Sequence, residues 1–290
     1  MLSRKKTLRQ LLEQDGIIRV PGAYDAWSAR LVEAAGFPAV YMTGYGASAS
    51  LIGQPDLGLL GMSEMARHAA NLSSAVEIPL IADGDTGFGG TLNVIRTVRE
   101  YERGGVAAIQ LEDQVTPKRC GHMDGKEIVP LKEMRGKIEA AAYARSSPDF
   151  LIIARTDARA VAGLEEALER ARVYARAGAD ILFVEAPRSV EEMKKVASAL
   201  DKPLVANMVE GGQTPFLQGE ELERMGYKLA IYPVTALFAA TRAVQEVLGG
   251  LKEEDTTGHA LQDMVDFQQF NQLMGLEETR SLEQSFPRKP

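Results

Sequence analysis

The chain has 290 residues, of which 45% are hydrophobic, enough for one large core or two smaller ones. Its net charge of −7 argues against a general nucleic-acid-binding surface, and its single cysteine excludes an internal disulfide and fits a reducing compartment. No apolar run has the length of a signal-peptide core or of a membrane span, roughly 18 residues, so we expect a soluble cytoplasmic protein with no membrane partner.

Short apolar runs rich in Val, Ile and Leu recur along the chain, as in strands buried on both faces of a parallel sheet. The eight runs cover residues 17–22, 39–44, 79–85, 108–114, 150–158, 181–187, 203–209 and 229–234. Amphipathic segments with helical spacing lie between them; in residues 163–180, Leu168 and Ala171 are predicted to face inward and Arg170 outward. Alternating βα units predict a (β/α)8 TIM-type barrel, with an open doubly wound sheet as the alternative.

Glycines stand just before four of these strands, where a helix has to end and the backbone needs a positive φ. They are Gly36, Gly105, Gly178 and Gly226. Ser63, Thr91 and Ser189 are predicted to be N-caps, because each precedes an amphipathic segment.

The last forty residues read as a polar connector, one more helix at residues 258–274 and a tail. That helix carries apolar Leu261, Val265, Phe267 and Leu273, so we expect it to cover a surface on its own barrel or on a neighbouring subunit. We predict a catalytic barrel over residues 1–250, with residues 251–290 belonging to the same domain or to its oligomer interface.

Polar residues concentrate where the predicted strands end, whereas the strand starts are apolar. The polar set comprises Asp83, Asp85, Glu112, Asp113, Arg155, Thr156, Asp157, Glu185, Asn207, Glu210 and Tyr232. A solvated loop would carry polar residues at both strand ends. Because barrel enzymes place their chemistry at the carboxyl ends of the strands, this asymmetry predicts an active site there.

The stretch "ADGDTGFGG" holds two acids two residues apart, Asp83 and Asp85. On a regular strand both side chains would face the same way, and two adjacent carboxylates repel unless a cation or a proton intervenes. Oxygen ligands suit Mg²⁺ or Mn²⁺, with Glu112 one strand over to complete the ion's water shell. A turn-forming Asp85 with no metal is the alternative.

Two further stretches are compatible with anion binding. Small residues in "YMTGYG" (Thr43, Gly44 and Gly46) allow close backbone approach, and turn N–H groups can hold a carboxylate, although a plain turn is the alternative. Arg155 ends an apolar strand, where a guanidinium must pair with a rim acid or with a bound anion. We favour a substrate carboxylate as its partner.

The single cysteine, Cys120, lies in the long connection "DQVTPKRCGHMDGKEIVP" after the fourth strand. Long loops at a barrel rim often act as lids. Lys118, Arg119 and His122 are predicted to lower the pKa of Cys120 and to raise its thiolate share. Inert packing is the alternative, but the polar, glycine-bearing neighbours are unlike those of a packed core.

The stretches "KRCGH", "ADGDTGFG" and "QLEDQ" resemble the isocitrate lyase and phosphoenolpyruvate mutase superfamily, and the resemblance continues through "YMTGYGASASLIGQPDLG", "NMVEGGQTP" and "YPVTA". The "KRCGH" loop is typical of the carbon–carbon lyases of that superfamily, whereas the phosphonate-forming mutases carry an asparagine-containing loop. The resemblance implies a (β/α)8 barrel whose terminal helix is swapped between subunits, usually in a homotetramer.

The resemblance also implies roles for individual residues. The metal set has Asp83 and Asp85 as Mg²⁺ ligands (Mn²⁺ being possible), with Asp56 and Glu112 in the water shell. The substrate set is Thr43, Gly44, Tyr45, Gly121, Arg155, Glu185 and Asn207. The catalytic set is Cys120 as the acid that protonates the departing enolate, Tyr41 as the base, and Lys118, Arg119 and His122 beside Cys120.

The implied reaction is the Mg²⁺-dependent retro-aldol cleavage of a small di- or tricarboxylate. Phe238 and residues 258–270 offer no arginine where methylisocitrate lyases have one, which favours a dicarboxylate such as 2,3-dimethylmalate or a related 2-alkylmalate, giving pyruvate and a short acid. The alternatives are 2-methylisocitrate cleavage to pyruvate and succinate, a carboxyphosphoenolpyruvate phosphonomutase, an oxaloacetate hydrolase or decarboxylase, and a non-enzymatic scaffold.

Overall fold

The computed structural model describes residues 6–123 and 125–286, which form two compact units that meet in sequence between Leu237 and Phe238. All the predicted strands are confirmed in the first unit. They are β1 (Ile18–Ala23), β2 (Val40–Met42), β3 (Leu80–Asp83), β4 (Ala108–Glu112), β5 (Leu151–Thr156), β6 (Ile181–Val184), β7 (Val205–Asn207) and β8 (Leu229–Tyr232).

The strands form one parallel sheet in the order β6-β5-β4-β3-β2-β1-β8-β7. Strands β6 and β7 are joined by a single parallel bridge between Leu182 and Leu204, so the sheet curls into a nearly closed barrel. The predicted (β/α)8 architecture is therefore confirmed, and the open doubly wound sheet is wrong.

The first helix precedes β1, and the others connect successive strands on the outside of the barrel. In chain order they are α1 (Leu8–Leu12), α2 (Ala26–Ala34), α3 (Gly44–Ile52), α4 (Met62–Ala75), α5 (Thr91–Arg103), α6 (Leu131–Ala144), α7 (Ala158–Ala162), α8 (Leu164–Arg176), α9 (Val190–Ala199) and α10 (Gly219–Met225). None of the helices among the described residues is long and apolar enough to cross a membrane.

The core has two layers, one between the strands and the helices and one inside the barrel. Leu8 and Leu11 of α1 are buried in the inner layer with Ile18 and Leu229, the first residues of β1 and β8. Helix α1 therefore closes the amino end of the barrel with apolar side chains, and the functional groups are left to the carboxyl end.

The start and stop signals are confirmed in part. The four glycines predicted to end helices all have a positive φ, and the Ser189 side chain caps α9 by accepting from the Glu192 N–H. Ser63 and Thr91 are wrong as N-caps, because Gly61 and Gly90 occupy those positions. There the N-cap N–H is satisfied by a side chain of the first turn, from Glu64 in α4 and from Asn93 in α5.

Arg170 corrects the predicted faces of α8. Its side chain is only 6% exposed, and Nη1 lies 3.1 Å from Oδ2 of Asp113. A helical period alone assigns a charged residue to the solvent face, but here the helix packs over a buried acid that requires a counter-charge.

The chain continues from β8 through α11 (Thr235–Glu254), a 3₁₀ turn (Gly258–Ala260), α12 (Phe267–Leu273) and α13 (Leu276–Gln284). The single helix predicted at residues 258–274 is wrong. Asp266 starts a new helix by accepting from the Gln269 N–H at 2.7 Å, and Gly275, with φ 72°, separates α12 from α13. The exchange of this region between subunits stays a prediction.

Candidate active site

The predicted site residues come together at the carboxyl ends of the strands. Asp83, Glu112 and Asn207 are the last residues of β3, β4 and β7, and Glu112 pairs in register with Arg155 of β5. Each of these four is at least nine-tenths buried. Acids, a guanidinium and an amide that are hidden from water at one end of a barrel form a prepared polar site.

The two acids of the "DGD" motif are adjacent, but not for the predicted reason. Asp85 lies past the end of β3 in a turn with φ 46°, so strand alternation does not orient it. Its N–H donates to Oδ1 of Asp83 at 3.0 Å, and its carbonyl accepts from the Glu112 N–H at 2.9 Å. Gly84 is required between them, because a Cβ there would lie 2.7 Å from Ile109 Cδ1.

Lys118 of the "KRCGH" loop faces these acids. Its ammonium lies 2.7 Å from Oδ1 of Asp56 and 2.8 Å from Oδ1 of Asp85. Burial by itself would lower the pKa of Lys118, but the acids around it, Asp85 and Asp83 foremost, raise it well above the usual value. The lysine therefore stays charged and supplies positive charge where a cation is expected.

The donor chemistry fits Mg²⁺. Burial raises the pKa of Asp85 to about 6, against the Lys118 charge and with help from Asp83 and Asp56. Among the described residues, the buried Glu112 Oε1 has no hydrogen-bond partner, and Asp85 Oδ1 has only the Lys118 ammonium, at 2.8 Å. These oxygens are therefore available to a cation or to its water.

The acids are set for a hydrated ion rather than for a closed cage. Within residues 6–123 and 125–286, no three Asp, Glu, His or Cys side chains converge to hold a metal directly. Mg²⁺ commonly keeps several waters and binds through one or two carboxylates together with substrate oxygens. The arrangement fits an ion beside Asp83 and Asp85, with Asp56 and Glu112 reaching its water.

The segment from Thr43 to Tyr45 forms the start of α3 and lies against the acids. Thr43 is the N-cap, with Oγ1 accepting from the Gly46 N–H at 3.3 Å, and a Cβ on Gly44 would lie only 2.5 Å from Oδ2 of Asp83. The first amides of a helix lack partners within it and attract anions. The close approach requires glycine and places these amides beside the candidate metal site.

Arg155 pairs with three acids of the rim, Asp157, Glu185 and Glu112. Its Nε and Nη2 lie 2.9 and 3.1 Å from the two oxygens of Asp157, and Nη1 lies 3.2 Å from Glu185 Oε2. The Nε–Oε2 distance to Glu112 is 3.4 Å. Contact with substrate stays a prediction for Arg155, Glu185 and Asn207.

The loop that carries Cys120 is closed over the strand ends. Its base is a short ladder in which Gln114 bridges Ile128 and the Val115 N–H donates to the Glu127 carbonyl at 2.9 Å. A Cβ on Gly121 would lie 2.4 Å from Nη2 of Arg155, so the loop backbone touches the guanidinium. The loop is thus seated on the candidate site, and its action as a lid stays a prediction.

The prediction that basic neighbours lower the pKa of Cys120 is wrong. Burial raises the pKa of the thiol, with Asp56 and Glu185 adding to the effect, and the His122 backbone hydrogen bond and Arg155 only partly oppose it. Lys118 points at the acids, and burial lowers the pKa of His122, which favours a neutral ring. The charged side chains that act on the thiol are therefore those of Asp56, Glu185 and Arg155, which are distant in sequence, and not those of its neighbours in the loop. A thiol that keeps its proton suits an acid.

Arg119 and His122 help to hold the loop. The Arg119 N–H and carbonyl both bond the Gln114 side chain, at 3.0 and 2.9 Å. His122 Nδ1 accepts from the Gln213 N–H at 3.0 Å, and its Nε2 lies 3.5 Å from Glu185 Oε1. Both contacts concern the position of the loop, and the catalytic role of either residue stays a prediction.

Tyr41 is poorly suited to the predicted role of base. Burial raises its pKa well above 10, and Asp83 raises it further. Its hydroxyl donates to Oε1 of Gln110 at 3.2 Å. A phenol that holds its proton this firmly, with that proton already donated, does not take one from a substrate.

Sequence reasoning missed two side chains that organise the site. Gln110 links the Tyr41 hydroxyl to Asp83, at 3.4 Å from Nε2 to Oδ1, and Lys126 of the loop lies 3.1 Å from Asp157. Gln110 could have been found from the sequence, because a lone amide inside an apolar strand must have a polar partner. Lys126 could not, because a lysine in a polar loop is ordinary and indicates no buried partner.

A closed loop with a protonated thiol over buried acids, at the carboxyl end of a barrel, defines an enzyme site for a small anion. Residues 8–252 match the family described as phosphoenolpyruvate phosphomutase. The chain is 53% identical to the 2,3-dimethylmalate lyase of Eubacterium barkeri over 96% of both chains, and 45% identical to the 2-methylisocitrate lyase of Bacillus subtilis over 88% of this chain and 84% of that one.

A solved phosphonopyruvate hydrolase in complex with oxalate and Mg²⁺ superposes with a TM-score of 0.88 at 31% identity, covering 98% of this chain and 99% of that one. The chain therefore belongs to the phosphoenolpyruvate phosphomutase family. Together with its lyase relatives, this makes it a carbon–carbon lyase of the wider superfamily.

Proposed function

We propose that the enzyme cleaves a 2-hydroxy dicarboxylate, 2,3-dimethylmalate or a related 2-alkylmalate, to pyruvate and a short carboxylic acid with the help of Mg²⁺. The observation that carries the proposal is the proton-retaining thiol of Cys120 on a loop closed over Arg155 and the acids. The identity of 53% to a dimethylmalate lyase, against 45% to a methylisocitrate lyase, supports the choice of substrate.

In this proposal the chain supplies three binding regions. Asp83 and Asp85, with Asp56 and Glu112 around the water shell, would hold Mg²⁺, which when bound polarises the substrate hydroxyl and carboxylate oxygens. The amides at the start of α3 would take the carboxylate next to the hydroxyl. Arg155 would face the other carboxylate, the one on which charge develops.

The bond that breaks joins C2, which carries the hydroxyl, to C3. The hydroxyl proton passes to a carboxylate of the rim, C2 becomes the oxo carbon of pyruvate, and the electron pair of the broken bond stays on C3, delocalised into its carboxylate. The Cys120 thiol then gives its proton to C3, which completes the short acid. The closed loop keeps bulk water away from the carbanion until that transfer.

A substrate panel tests the proposal. With Mg²⁺ present, 2,3-dimethylmalate should give pyruvate, and a chelator should stop it. Cys120→Ser should lower the rate by about 10²–10⁴-fold, the usual range for a general acid, with an unchanged melting temperature. Absence of pyruvate from both 2,3-dimethylmalate and 2-methylisocitrate would exclude the proposed reaction.

Cleavage of 2-methylisocitrate is the second candidate, supported by the Bacillus subtilis relative. It would release succinate beside pyruvate, which chromatography separates from the product of a dialkylmalate. Against it stands the absence of arginine at Phe238 and in residues 258–270, where a third carboxylate would need a partner. Phosphorus NMR on carboxyphosphoenolpyruvate and an oxalate assay on oxaloacetate examine the remaining alternatives.

We also propose that the protein works as a homotetramer in the reducing cytoplasm. The second unit exposes apolar side chains, with Phe267 at 86% and Leu261 at 65%, as expected of a surface that another copy covers. A working thiol without a disulfide partner in its own chain suits a reducing compartment. Light scattering after size-exclusion chromatography would give the mass of the assembly.

A further inference from the structure

Lys126, at the far end of the loop from Lys118, joins the loop to the barrel. Its ammonium donates to the Gly121 carbonyl and to Oδ1 of Asp157, the latter at 3.1 Å. The two side chains of this ion pair are 3% and 0% exposed. One buried ammonium thus ties the residue after Cys120 to the end of β5.

Asp157 contacts Arg155 through both of its carboxylate oxygens and the loop through one of them. Oδ1 lies 3.1 Å from both Lys126 Nζ and Arg155 Nη2, and Oδ2 lies 2.9 Å from Arg155 Nε. Burial alone would raise the pKa of Asp157, but the charges of Arg155 and Lys126 hold it below the usual value. The carboxylate is therefore a fixed negative charge with both oxygens engaged.

The barrel fixes the backbone of Asp157 in turn. The Asp157 N–H donates to Oδ1 of Asp113 at 2.8 Å. Oδ2 of Asp113 accepts from Thr156, Tyr174 and Arg170 at 2.7, 2.8 and 3.1 Å. Because Asp113 is itself hydrogen-bonded through both oxygens, it holds Asp157 in place on the barrel. Asp157 is therefore a fixed partner to which Lys126 can attach the loop.

We propose that Lys126 is a positioning residue that latches the Cys120 loop shut and, through Asp157, closes it only onto a correctly placed Arg155. The role in catalysis rests on the proposed function, since it assumes that Cys120 and Arg155 act on substrate. The latch itself is a property of the loop and is measurable without any substrate.

The other polar contacts of the loop are less suited to this role. Lys118 pairs with Asp56 and Asp85, which belong to the candidate Mg²⁺ set, so a cation competes for its partners. His122 accepts hydrogen bonds from Gln213 at 3.0 and 3.2 Å, but these carry no full charge, and a neutral ring gains little from Glu185 at 3.5 Å. Of Lys118, His122 and Lys126, only Lys126 forms an ion pair between a full positive charge and an acid outside the candidate Mg²⁺ set.

Cys120 provides the test, because it is the only cysteine in the chain. Cys120 is only partly exposed under the closed loop, so more frequent opening raises the rate of its alkylation by iodoacetamide, which intact mass follows. We expect Lys126→Met to raise the alkylation rate by about tenfold, the effect of a modest shift in the closed population. Lys132→Met, the same change at an exposed lysine of α6, should alkylate at the unaltered rate.

Two further measurements separate the latch from other causes. If the loop opens more often, Lys126→Met should be alkylated faster than the unaltered protein by the same factor at roughly pH 7 and at roughly pH 9. If the substitution instead alters the pKa of the thiol, that factor should differ between the two pH values. Lys126→Arg keeps the charge and should alkylate more slowly than Lys126→Met. If Lys126→Met fails to fold, Lys126→Gln replaces it in the comparison with Lys126→Arg.

Alkylation of Lys126→Met at the unaltered rate, or of the Met and Arg variants at equal rates, would overturn the latch. In the pyruvate assay we expect Lys126→Met to lose kcat by about tenfold or more with a smaller change in KM, as for a step completed by closure. If the unaltered enzyme makes no pyruvate but the alkylation contrast holds, the proposed function fails and the latch stands.

Discussion

The acids at the ends of β3 and β5 both meet a lysine from the same loop, yet the two regions differ in how well they are satisfied. Beside Lys118, Asp85 has an oxygen whose only partner among the described residues is the lysine ammonium, and burial raises its pKa to about 6. Beside Lys126, Asp157 has both oxygens engaged, and its pKa is held below the usual value. On the proposed function the first region would bind an exchangeable cation, whereas the acid of the second is paired within the protein itself.

The largest effect on stability should follow from Asp157→Asn. The change leaves the buried Arg155 and Lys126 short of a counter-charge, and loss of one partner of a buried pair costs about 3–5 kcal/mol. Urea unfolding near neutral pH measures it, with Asp201→Asn at an exposed site as the control. A loss of under about 1 kcal/mol, the range of a surface ion pair, would remove the distinction between the two regions.

The sign of the pH dependence follows from the lowered pKa of Asp157. Its stabilisation is complete above the pKa of the unfolded state, about 3.9, and is lost as pH falls through the lower folded value. The difference in unfolding free energy between the unaltered protein and Asp157→Asn should therefore shrink only in strong acid. If the difference in unfolding free energy already shrinks near neutral pH, the pKa of Asp157 is not lowered in the folded protein.

Gly121→Ala should reduce the rate of pyruvate release by about 10²-fold, the cost of misplacing a catalytic group by an ångström. The new Cβ would meet Arg155 Nη2 at 2.4 Å and Glu185 Oε2 at 2.7 Å, so the loop would be lifted from the site. Cys120 alkylation should accelerate while the melting temperature stays unchanged. Glu127→Ala, at an exposed position of the same loop, is the control. Gly125→Ala does not serve, because Gly125 has a positive φ that alanine rarely adopts.

Asp85→Asn should move stability in the direction opposite to Asp157→Asn. Because burial raises the pKa of Asp85, its ionised form is unfavourable in the folded state without a cation. Lys118 loses Asp85 as a partner but keeps Asp56, whose Oδ1 lies 2.7 Å from the ammonium. With a chelator present, we therefore expect removal of the Asp85 charge to stabilise the protein by no more than about 1 kcal/mol. The gain should fall as pH drops from about 6 toward 3.8, where the unaltered carboxyl takes up its proton. Added Mg²⁺ should raise the melting temperature of the unaltered protein and not that of the variant.

The smallest effect concerns the thiol itself. Because burial raises the pKa of Cys120, its alkylation rate should reach half of its plateau above the pH of an ordinary cysteine, about 8.5. Alkylation in denaturant supplies the reference curve for the same thiol. A midpoint below the reference would restore the expectation that Lys118, Arg119 and His122 activate the sulfur.

The strands and the general place of the site were predictable, because apolar runs and the polar residues that follow them are local in sequence. The direction of the Cys120 pKa shift was not, because Lys118 turns toward Asp56, some sixty residues away in sequence. Arg170 was assigned to solvent for a similar reason, since its partner Asp113 lies on another βα unit. Spacing identifies which residues share a face, but the charges that they meet depend on packing between distant segments.

The burial of Cys120 also bears on how the protein ages. Peroxides attack the thiolate rather than the thiol, so a cysteine that keeps its proton under a closed loop is slow to enter the series from sulfenic to sulfonic acid. Cys120 is only partly exposed under the closed loop, and each opening exposes its side chain further for as long as the opening lasts. The frequency of turnover, through the time that the loop spends open, would then set the rate at which the enzyme is oxidised.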